Sequence, residues 1–322
     1  MAKQYVRELE PGVRVRSVFI VVEKQLLPFR DPSKGSYLSL VLADKTGTIE
    51  AKIWEGARDI DAWLEEESLV RVTGVADVYR GVCQVNVSEL VPVSDQEVDL
   101  KDLLPSVDKD VGMLLATLDE KIESVSNPVL AEFLGSWFSE EDFRKAFATA
   151  PAAKRIHHSY LGGLLEHSLE VCRISELCAE MFRDSNRDLL VAGSLLHDVG
   201  KVLEYRYLRT IDITTRGRLL GHTVMGYEMV RRRAERHPGF PEGLLTHLGH
   251  LILSHHGEGS YGAPVVPQTV EAAVLHYSDL LSSKVKQFSQ VVERSTGNRW
   301  TSYEKTLGRR IYTGGLEETT EQ

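Results

Sequence analysis

Residues 194–201 read Ser-Leu-Leu-His-Asp-Val-Gly-Lys, an apolar run that ends in an adjacent histidine and aspartate, followed by a glycine and a lysine. The apolar residues 189–196 predict a buried helix, and Gly200 is a suitable terminator for it. Side chains at neighbouring helical positions diverge by about 100°, so a His-Asp pair inside a helix rarely serves one centre. At a helix end both side chains can turn towards the same point. The pattern therefore predicts a shared site at His197 and Asp198.

Further histidines and an aspartate lie on or at the end of other apolar, helix-like segments. They are His167, His222, the pair His255-His256, and Asp279. A lone buried histidine is more often a hydrogen-bonded core residue than a ligand, but five such segments in one chain favour a common site. Imidazole and carboxylate groups together suit borderline divalent metals such as Mn, Fe, Co, Ni or Zn. Helical bundles bring such ligands in from several facing helices, so the sequence predicts a metal centre.

The ordered set His…His-Asp…His…His-His…Asp resembles the HD-domain metal-dependent phosphohydrolases, in the variant with enough ligands for two metals. The resemblance runs from about His157 to Val285. It implies that Asp198 bridges two ions, and it implies the following ligand sets: His167, His197 and Asp279 for one ion, and His222, His255 and His256 for the other. The histidine doublet could supply one ligand or two.

The implied chemistry is hydrolysis of a phosphate ester. Two divalent ions about 3.5–4 Å apart can share a hydroxide and clamp both the attacking and the leaving oxygen of a phosphoryl group. Asp198 would then be the catalytic bridging carboxylate. Lys201 follows three residues later, where its ammonium group could stabilise the transition-state charge or protonate the leaving oxygen. The alternative for Lys201 is an ordinary lysine at the C-terminal end of a helix.

The composition is ordinary for a globular protein, and 322 residues are enough for one large core or two modest ones. A formal net charge of −9 argues against a protein that coats duplex nucleic acid, because such proteins neutralise phosphates with basic surfaces. Nucleic-acid binding would have to use a local cationic track, aromatic stacking or the metals. Cys83, Cys172 and Cys178 form no CxxC pair and indicate a reducing cytoplasm. We expect neither a membrane span nor a signal peptide.

Residues 5–93 contain short alternating segments that predict five strands, with one helix at about residues 59–64 between the third and fourth strands. This order indicates an OB-fold barrel, and the segments "LVLADKTGTIEAKIWE" and "VRVTGVADVYRGVCQVNV" resemble OB modules of nucleic-acid-binding proteins. Such modules hold single strands with aromatic platforms and a cationic groove. The candidate contacts are Tyr37, Trp54, Tyr79 and Arg80, with charge from Arg14, Arg16 and Lys52. The alternative is that Tyr37 and Trp54 close the barrel core.

The predicted organisation is an α+β multidomain protein in which a five-stranded OB-fold β-barrel precedes an all-α HD-domain bundle. Changes in composition and periodicity give these boundaries: barrel 1–93, linker 94–110, bracing helices 111–150, HD domain 151–294 and C-terminal arm 295–322. Two cations beside two histidines, just before the first predicted ligand, indicate a phosphate-facing lip. The lip residues are Lys154, Arg155, His157 and His158. The alternative for this segment is a polar helix start.

An OB module ahead of an HD domain with "HHSYLGGLLEHSLEV", "HDVGK", "LLGH" and "SHHGEGSYGAPVVPQTVEAAVLHYSDLLSSKV" closely resembles the YhaM-type 3′→5′ exoribonuclease family. The resemblance covers nearly the whole chain, with a departure at Gly262-Ala263-Pro264, where a serine would be expected before the proline. It implies an enzyme that uses manganese to release nucleoside 5′-monophosphates from a single-stranded RNA end. Fe, Co, Ni or Zn would also suit the predicted ligands. Single-stranded DNA would be a further substrate. We also expect a homo-oligomer and no membrane partner.

Two other functions stay open at this point. The first is an HD-type phosphodiesterase or nucleotidase for small nucleotides, with the OB-fold as a partner-binding module. The loop "HHGEGSYG" faintly resembles the cyclic-dinucleotide HD-GYP class, but no Gly-Tyr-Pro follows it. The second is a non-catalytic RNA-binding scaffold, and the complete set of predicted ligands argues against it.

Overall fold

The computed structural model describes residues 3–79, 81–154, 158–207, 209–295 and 299–314. The chain divides into two compact units, residues 1–106 with 207–211, and residues 107–206 with 212–322. The first unit contains a closed β-barrel and the second is mainly helical, which confirms the predicted α+β fold class. Among the residues that the structure describes, no helix combines the length and the apolar character needed to cross a membrane.

The first unit is built on a five-stranded barrel. Its elements are a 3₁₀ helix Val6–Glu8, β1 Arg14–Pro28, a 3₁₀ helix Pro32–Lys34, β2 Ser36–Asp44, β3 Gly47–Ile53, α1 Ala57–Trp63, β4 Leu69–Tyr79, β5 Val82–Pro92, a 3₁₀ helix Asp95–Glu97 and α2 Leu100–Leu103. The strands follow the order β1-β2-β3-β5-β4 around the barrel. Neighbouring strands are antiparallel except β3 and β5, which pair in parallel. Helix α1 lies between the third and fourth strands, as predicted.

Alternation of apolar and polar residues decides which side chains fill the barrel. On β2, Leu38, Leu40 and Leu42 are buried, while the two residues between them are half-buried. The β2–β3 register pairs Leu40 with Ala51, so the apolar rows of both strands face one core. Strand β1 pairs with β4 through its first half and with β2 through its second half, with an irregularity between Val21 and Glu23.

The second unit packs helices around a second core. Its elements are α3 Val111–Glu123, α4 Pro128–Phe138, α5 Glu141–Thr149, α6 Gly163–Met181, α7 Arg187–Leu196, α8 Lys201–Glu204, β6 Tyr205–Arg206, β7 Asp212–Ile213, α9 Thr215–Ala234, α10 Glu242–Ser254, a 3₁₀ helix Gly259–Tyr261 and α11 Val270–Arg294. Helix α7 is buried from Leu189 to Leu196 and packs against α6, α10 and α11. An apolar helix enclosed in this way can present its C-terminal end to a buried site.

The segment before α9 differs from the prediction. The alternation of Tyr205, Tyr207, Ile211 and Ile213 predicts two strands within residues 204–220, with a bend at Arg216-Gly217, but β6 and β7 have two residues each, and residues 215–220 belong to α9. The Thr214 hydroxyl accepts a hydrogen bond from the Gly217 amide at 2.9 Å and caps this helix. The two-stranded prediction is therefore confirmed at β6 and β7, and the predicted bend at Arg216-Gly217 is wrong, because Thr214 caps a helix that begins at Thr215.

Candidate metal centre

Five elements of the helical unit bring the predicted ligands together. His167 lies on α6, His197 and Asp198 follow α7, His222 lies on α9, His255 and His256 follow α10, and Asp279 lies on α11. The His197 amide still donates to the Gly193 carbonyl at 2.7 Å, so α7 ends at the His-Asp pair as predicted. Gly221 interrupts α9 with a φ of 73°, a left-handed conformation that favours glycine, and the helix resumes at His222.

The carboxylate of Asp198 is shared between two sets of imidazoles. Its Oδ2 lies 3.5 Å from His167 Nε2 and 3.3 Å from His197 Nε2. Its Oδ1 lies 3.4 Å from His222 Nε2 and 3.6 Å from His255 Nε2. Each oxygen therefore faces a different pair of imidazoles. A carboxylate that bridges two cations would have this arrangement.

Two groups of donor atoms flank this carboxylate. His167 Nε2 lies 3.3 Å from His197 Nε2 and 3.1 Å from Asp279 Oδ1. On the other side, His222 Nε2 and His256 Nε2 are 3.2 Å apart. Donor atoms lie within 4.8 Å of one another in each of two groups, His167, His197 and Asp279, and His222, His255 and His256. These groups are the two ligand sets that the family resemblance implies.

In a neutral imidazole only the nitrogen without a hydrogen can bind a metal. The hydrogen-bond partner of Nδ1 shows which nitrogen that is. His197 Nδ1 lies 2.8 Å from the Ser194 carbonyl oxygen, and His255 Nδ1 lies 2.7 Å from the Ile252 carbonyl oxygen. A carbonyl oxygen only accepts hydrogen bonds, so Nδ1 carries the hydrogen in both neutral rings. The Nε2 lone pairs of these two rings therefore point towards Asp198, as ligand atoms should.

Two carboxylates that the sequence analysis did not select support other imidazoles. Glu204 Oε2 lies 2.9 Å from His222 Nδ1, and Glu204 Oε1 accepts the His222 amide hydrogen at 3.1 Å. His167 Nδ1 lies 3.2 Å from Ser282 Oγ, and the Ser282 hydroxyl donates to Glu170 Oε2 at 3.1 Å. Ser282 therefore accepts the hydrogen of His167 Nδ1, which leaves His167 Nε2 free of hydrogen. Partners behind ligating histidines commonly fix the tautomer in this way.

The electrostatics of the centre fit divalent cations. His197, Asp198 and His255 are buried, and within the described ranges Asp198 Oδ1 is a buried oxygen without a hydrogen-bond partner. Burial alone would raise the pKa of Asp198, but nearby positive charge, chiefly that of Lys201, outweighs burial and holds that pKa well below its usual range. Burial is the main cause that lowers the pKa of His256 to about 4. An ionised carboxylate and a neutral imidazole are the forms that bind metals.

The centre is partly exposed to solvent at three of its ligands. The side chains of His167 and His197 are almost fully enclosed, whereas those of His222 and Asp279 are 13% and 16% exposed. His256 is also half-buried. A phosphate group that arrives from solvent would therefore reach His222, His256 or Asp279 before the enclosed ligands.

Lys201 places a positive charge beside the shared carboxylate. Its ammonium group donates to Asp198 Oδ2 at 2.6 Å, and its side chain is 8% exposed. Burial acts to lower the pKa of Lys201, but the attraction of Asp198 outweighs burial and raises it. Lys201 begins α8 and faces the centre, so the alternative of a helix C-terminal lysine in solvent is wrong.

Three predicted substrate contacts, Arg80, Arg155 and His157, lie outside the residues that the structure describes, and they stay predictions. Lys154 lies within the described residues, and its ammonium group forms an ion pair with Asp212 Oδ1 at 2.5 Å. A substrate phosphate at this position would have to compete with the carboxylate of Asp212.

His158 does not form part of a phosphate-facing lip. It is fully buried, its Nε2 lies 3.1 Å from Glu170 Oε2, and its ring centroid lies 5.2 Å from that of His167. An enclosed side chain cannot contact a phosphate that arrives from solvent, which corrects the predicted substrate role. His158 instead supports Glu170, the carboxylate that orients His167 through Ser282.

Three aromatic rings form a platform on the outside of the barrel. Tyr37 and Trp54 have ring centroids 5.0 Å apart, and Phe29 stacks on Trp54 at 6.1 Å with 19° between the planes. Trp54 is 44% exposed, and its Nε1 donates to Asn86 Oδ1 at 3.1 Å. Neither Tyr37 nor Trp54 belongs to the described barrel core, so the alternative that they close this core is wrong. The platform includes Phe29, which the sequence analysis did not select.

Candidate cations lie beside this platform. Arg14 and Arg16 line an open groove that also includes Asn86, the hydrogen-bond partner of Trp54. Lys52 forms an ion pair with Glu50 at 3.1 Å. Tyr79 is 58% exposed at the end of β4. The predicted aromatic contacts and two of the predicted cations are thus available to a ligand.

Comparison with known proteins identifies both parts of the chain. Residues 164–284 match the HD domain family, and residues 20–93 match the OB-fold nucleic acid binding domain family. The 3′-5′ exoribonuclease YhaM of Bacillus subtilis is 32% identical over 298 residues, which cover 90% of this chain and 93% of that protein. The chain belongs to the YhaM 3′-5′ exoribonuclease family. A second family member, YhaM of Shouchella clausii, is 34% identical over 260 residues, which cover 80% of each chain.

Solved structures are similar to parts of this YhaM family member. The HD domain of the phosphodiesterase PgpH from L. monocytogenes is 23% identical, with a TM-score of 0.33, and covers 48% of this chain and 80% of that chain. The second OB-fold domain of replication protein A from Methanococcus maripaludis is 22% identical, with a TM-score of 0.25, and covers 29% of this chain and 96% of that chain.

Proposed function

We propose that this YhaM family member hydrolyses single-stranded RNA from its 3′ end and releases nucleoside 5′-monophosphates. The position of Asp198 is the main support for hydrolysis, because its two oxygens face different imidazole pairs. The RNA substrate and the direction of digestion follow the names of the curated relatives, which are 3′-5′ exoribonucleases.

The proposed centre holds two divalent cations with Asp198 shared between them. The ligand sets would be His167, His197 and Asp279, and His222, His255 and His256. Two such cations supply an activated water and stabilise charge on the attacking and leaving oxygens. Mixed imidazole and carboxylate ligands suit manganese, iron, cobalt, nickel and zinc. We propose manganese, which the family resemblance implies.

The chain's own residues orient the ligands and balance the charge of the reaction. Glu204 fixes the ring of His222, and Ser282 fixes the ring of His167. Lys201 holds a positive charge beside Asp198, where it stabilises the negative charge that develops on phosphoryl oxygens. Water adds to phosphorus, and the bond from phosphorus to the 3′ oxygen of the preceding nucleotide breaks. The shortened strand then ends in a 3′ hydroxyl, and the released nucleotide keeps its 5′ phosphate.

The barrel supports a single-stranded substrate. Phe29, Tyr37 and Trp54 form a partly exposed platform on which unpaired bases can stack, and the groove beside it carries Arg14 and Arg16. The chain has a net charge of −9, so these local features must attract the strand. Stacking does not depend on the sugar, so we propose single-stranded DNA as a further substrate.

We also propose a location and an assembly state. Cys83, Cys172 and Cys178 are free thiols, which suits the reducing cytoplasm. Leu177 on α6 and Leu281 on α11 are both 51% exposed and line the same groove, and a shared apolar surface of this kind supports a homo-oligomer. Size-exclusion chromatography with light scattering measures the assembly state directly.

The proposed activity is tested by digesting short RNA in the presence of manganese. RNA labelled at its 5′ end should shorten stepwise into a ladder, whereas RNA labelled at its 3′ end should release a labelled mononucleotide first. The Asp198→Asn variant should be inactive, because it weakens the shared ligand. The matched control is His247→Gln, which changes an exposed histidine on α10 outside the centre and should keep full activity.

Other outcomes would contradict this proposal. Hydrolysis of cyclic dinucleotides with inert RNA would identify a small-nucleotide phosphodiesterase with the barrel as a partner-binding module. RNA binding by the metal-loaded protein without turnover would identify a non-catalytic scaffold. A mixture of internal fragments in place of a ladder would identify an endonuclease.

A further inference from the structure

The C-terminal hairpin, residues 299–314, exposes aromatic rings and cations together. Trp300, Tyr303 and Tyr312 are 56%, 59% and 47% exposed. The ring centroids of Trp300 and Tyr312 are 5.2 Å apart. The hairpin also contains four cationic side chains, all exposed, and one acidic side chain; the cations are Arg299, Lys305, Arg309 and Arg310. Neither the metal centre nor the barrel uses any of these residues.

The hairpin has a defined fold that does not depend on its exposed side chains. The Thr301 amide donates to the Ile311 carbonyl at 2.9 Å, and the Thr313 amide donates to the Arg299 carbonyl at 2.8 Å. Leu307 and Ile311 are buried in a cluster with residues of α11. Substitutions of exposed hairpin residues should therefore leave this backbone in place.

The cations of the hairpin are available to an anionic ligand. Within the described ranges of the chain, none of these four side chains forms an ion pair, although Arg309 Nε donates to the Leu307 carbonyl at 3.1 Å. The arginines of α9 behave differently, since Arg231 pairs with Glu235 and Arg232 pairs with Glu228. These cations give the hairpin a local positive charge in a chain of net charge −9. This local charge favours a polyanion, and the rings of the hairpin favour unpaired bases over a peptide or a lipid.

Helix α11 links the hairpin to the metal centre. Asp279 lies on this helix, and Phe288, nine residues later, packs against the hairpin cluster. At 1.5 Å per residue the two positions are about 14 Å apart along the axis. A stacked strand advances about 3.4 Å per nucleotide, so this distance corresponds to roughly four nucleotides. An RNA of about five or more nucleotides whose 3′ end lies at the centre could therefore span this distance.

We propose that the C-terminal hairpin is a second binding site for single-stranded RNA, which holds the strand a few nucleotides from the reacting 3′ end. Bases stack on Trp300 and Tyr312, and phosphates contact Arg309 and Arg310. This inference rests on the proposed exoribonuclease function, because the strand must place its 3′ end at the metal centre. The hairpin would favour strands long enough to occupy both sites over dinucleotides.

The test measures the affinity of the full-length, manganese-loaded protein for a fluorescent oligouridylate whose 3′ linkages are phosphorothioates. Trp300→Ala should raise the Kd about tenfold, because it removes a stacking surface for one base. For the double variant Arg309→Gln/Arg310→Gln, the logarithm of the association constant should fall less steeply with the logarithm of the salt concentration. The magnitude of this slope should decrease by about 1.4, at about 0.7 per lost phosphate contact. The matched control Arg231→Gln/Arg232→Gln removes the same charge from α9 and should change the Kd less than about twofold.

Several outcomes would overturn this inference. One is that the hairpin variants have the same Kd and the same salt dependence as the control. Another is that Trp300→Ala dissociates an oligomer, as seen by light scattering, without changing the affinity for RNA. The latter result would make the hairpin a contact between copies of the chain. Hydrolysis of a dinucleotide by the unaltered protein tests the metal centre separately. If the unaltered protein does not hydrolyse the dinucleotide, the proposed function is contradicted. Weaker RNA binding by the hairpin variants would still support the hairpin site in that case.

Discussion

At the scale of single residues, the centre depends on the groups behind the ligands as well as on the ligands. His167 and His197 could be predicted because a histidine within an apolar helical segment is unusual and needs a partner. Ser282 and Glu170 could not, because serine and glutamate are common on helices and their role appears only when α11 packs on α6. Glu204 could almost have been predicted, because it lies in α8, directly after the His-Asp motif.

Removal of the Ser282 hydroxyl should weaken metal binding. In the Ser282→Ala variant His167 loses the acceptor that fixes its tautomer, so manganese affinity should fall about 10- to 100-fold. Ser289→Ala is the matched control, because Ser289 is exposed on the same helix. Titration with manganese by isothermal calorimetry measures the effect, and equal affinities for the two variants would show that Ser282 does not orient the ligand.

The aromatic platform predicts a residue-specific loss of RNA affinity. Trp54→Ala removes a ring on which a base can stack, so the Kd for single-stranded RNA should rise roughly 5- to 150-fold. Trp63→Ala is the matched control, because Trp63 is a similarly exposed tryptophan on α1, at 41% against 44% for Trp54. Fluorescence anisotropy with labelled RNA measures both variants. Similar Kd values for both would remove the platform from the binding site.

At the scale of elements, the close contact between the end of α7 and helix α9 sets the distance from Asp198 to His222. A Cβ atom on Gly200 would lie 2.1 Å from the His222 carbonyl oxygen and 2.7 Å from the Gly226 amide nitrogen. Only a glycine lets the two backbones approach in this way. The sequence predicts Gly200 as a helix terminator, but Gly200 has a right-handed helical φ of −63° and lies directly before α8, so this prediction is wrong. Its role is the close packing, which depends on a helix that follows in the chain.

Alanine at this glycine should disturb both folding and metal binding. Gly200→Ala must displace the backbone at His222, so we expect a loss of about 1–3 kcal/mol in the free energy of unfolding and weaker manganese binding. Gly135→Ala is the control, since its Cβ meets no atom within 4 Å on α4, and it should be neutral or stabilising by up to about 1 kcal/mol. Thermal melting with and without manganese measures both effects, and equal melting temperatures would contradict the packing role.

Elements with a strong local signal were predictable, and those that depend on a cap were not. The ends of α7 and α10 carry His-Asp and His-His pairs, which mark the ends of apolar runs. Residues 215–220 form the start of α9 in place of the predicted bend, because Thr214 caps the helix and Gly217 fits against Glu204. The sequence of these six residues could not reveal this packing, since it involves contacts with residues outside them.

At the scale of the whole molecule, the order of a barrel followed by a helical unit was predictable from two distinct periodicities. Strand alternation gave the barrel, and the position of α1 gave its type. The aromatic platform was only partly predictable, because the place of Phe29 beside Trp54 depends on how β1 leaves the barrel. The boundaries of the linker 94–110 stay predictions, although this segment contains the helix α2 and the buried Leu103.

The central claim is that Asp198 bridges two divalent cations, and anomalous diffraction from crystals of the manganese-loaded protein tests it most directly. We predict two anomalous peaks per chain, one bound by His167, His197 and Asp279 and the other near His222, His255 and His256. One oxygen of Asp198 should contact each ion. A single peak, or two peaks of which one lies away from Asp198, would contradict the shared carboxylate and the hydrolytic mechanism that rests on it.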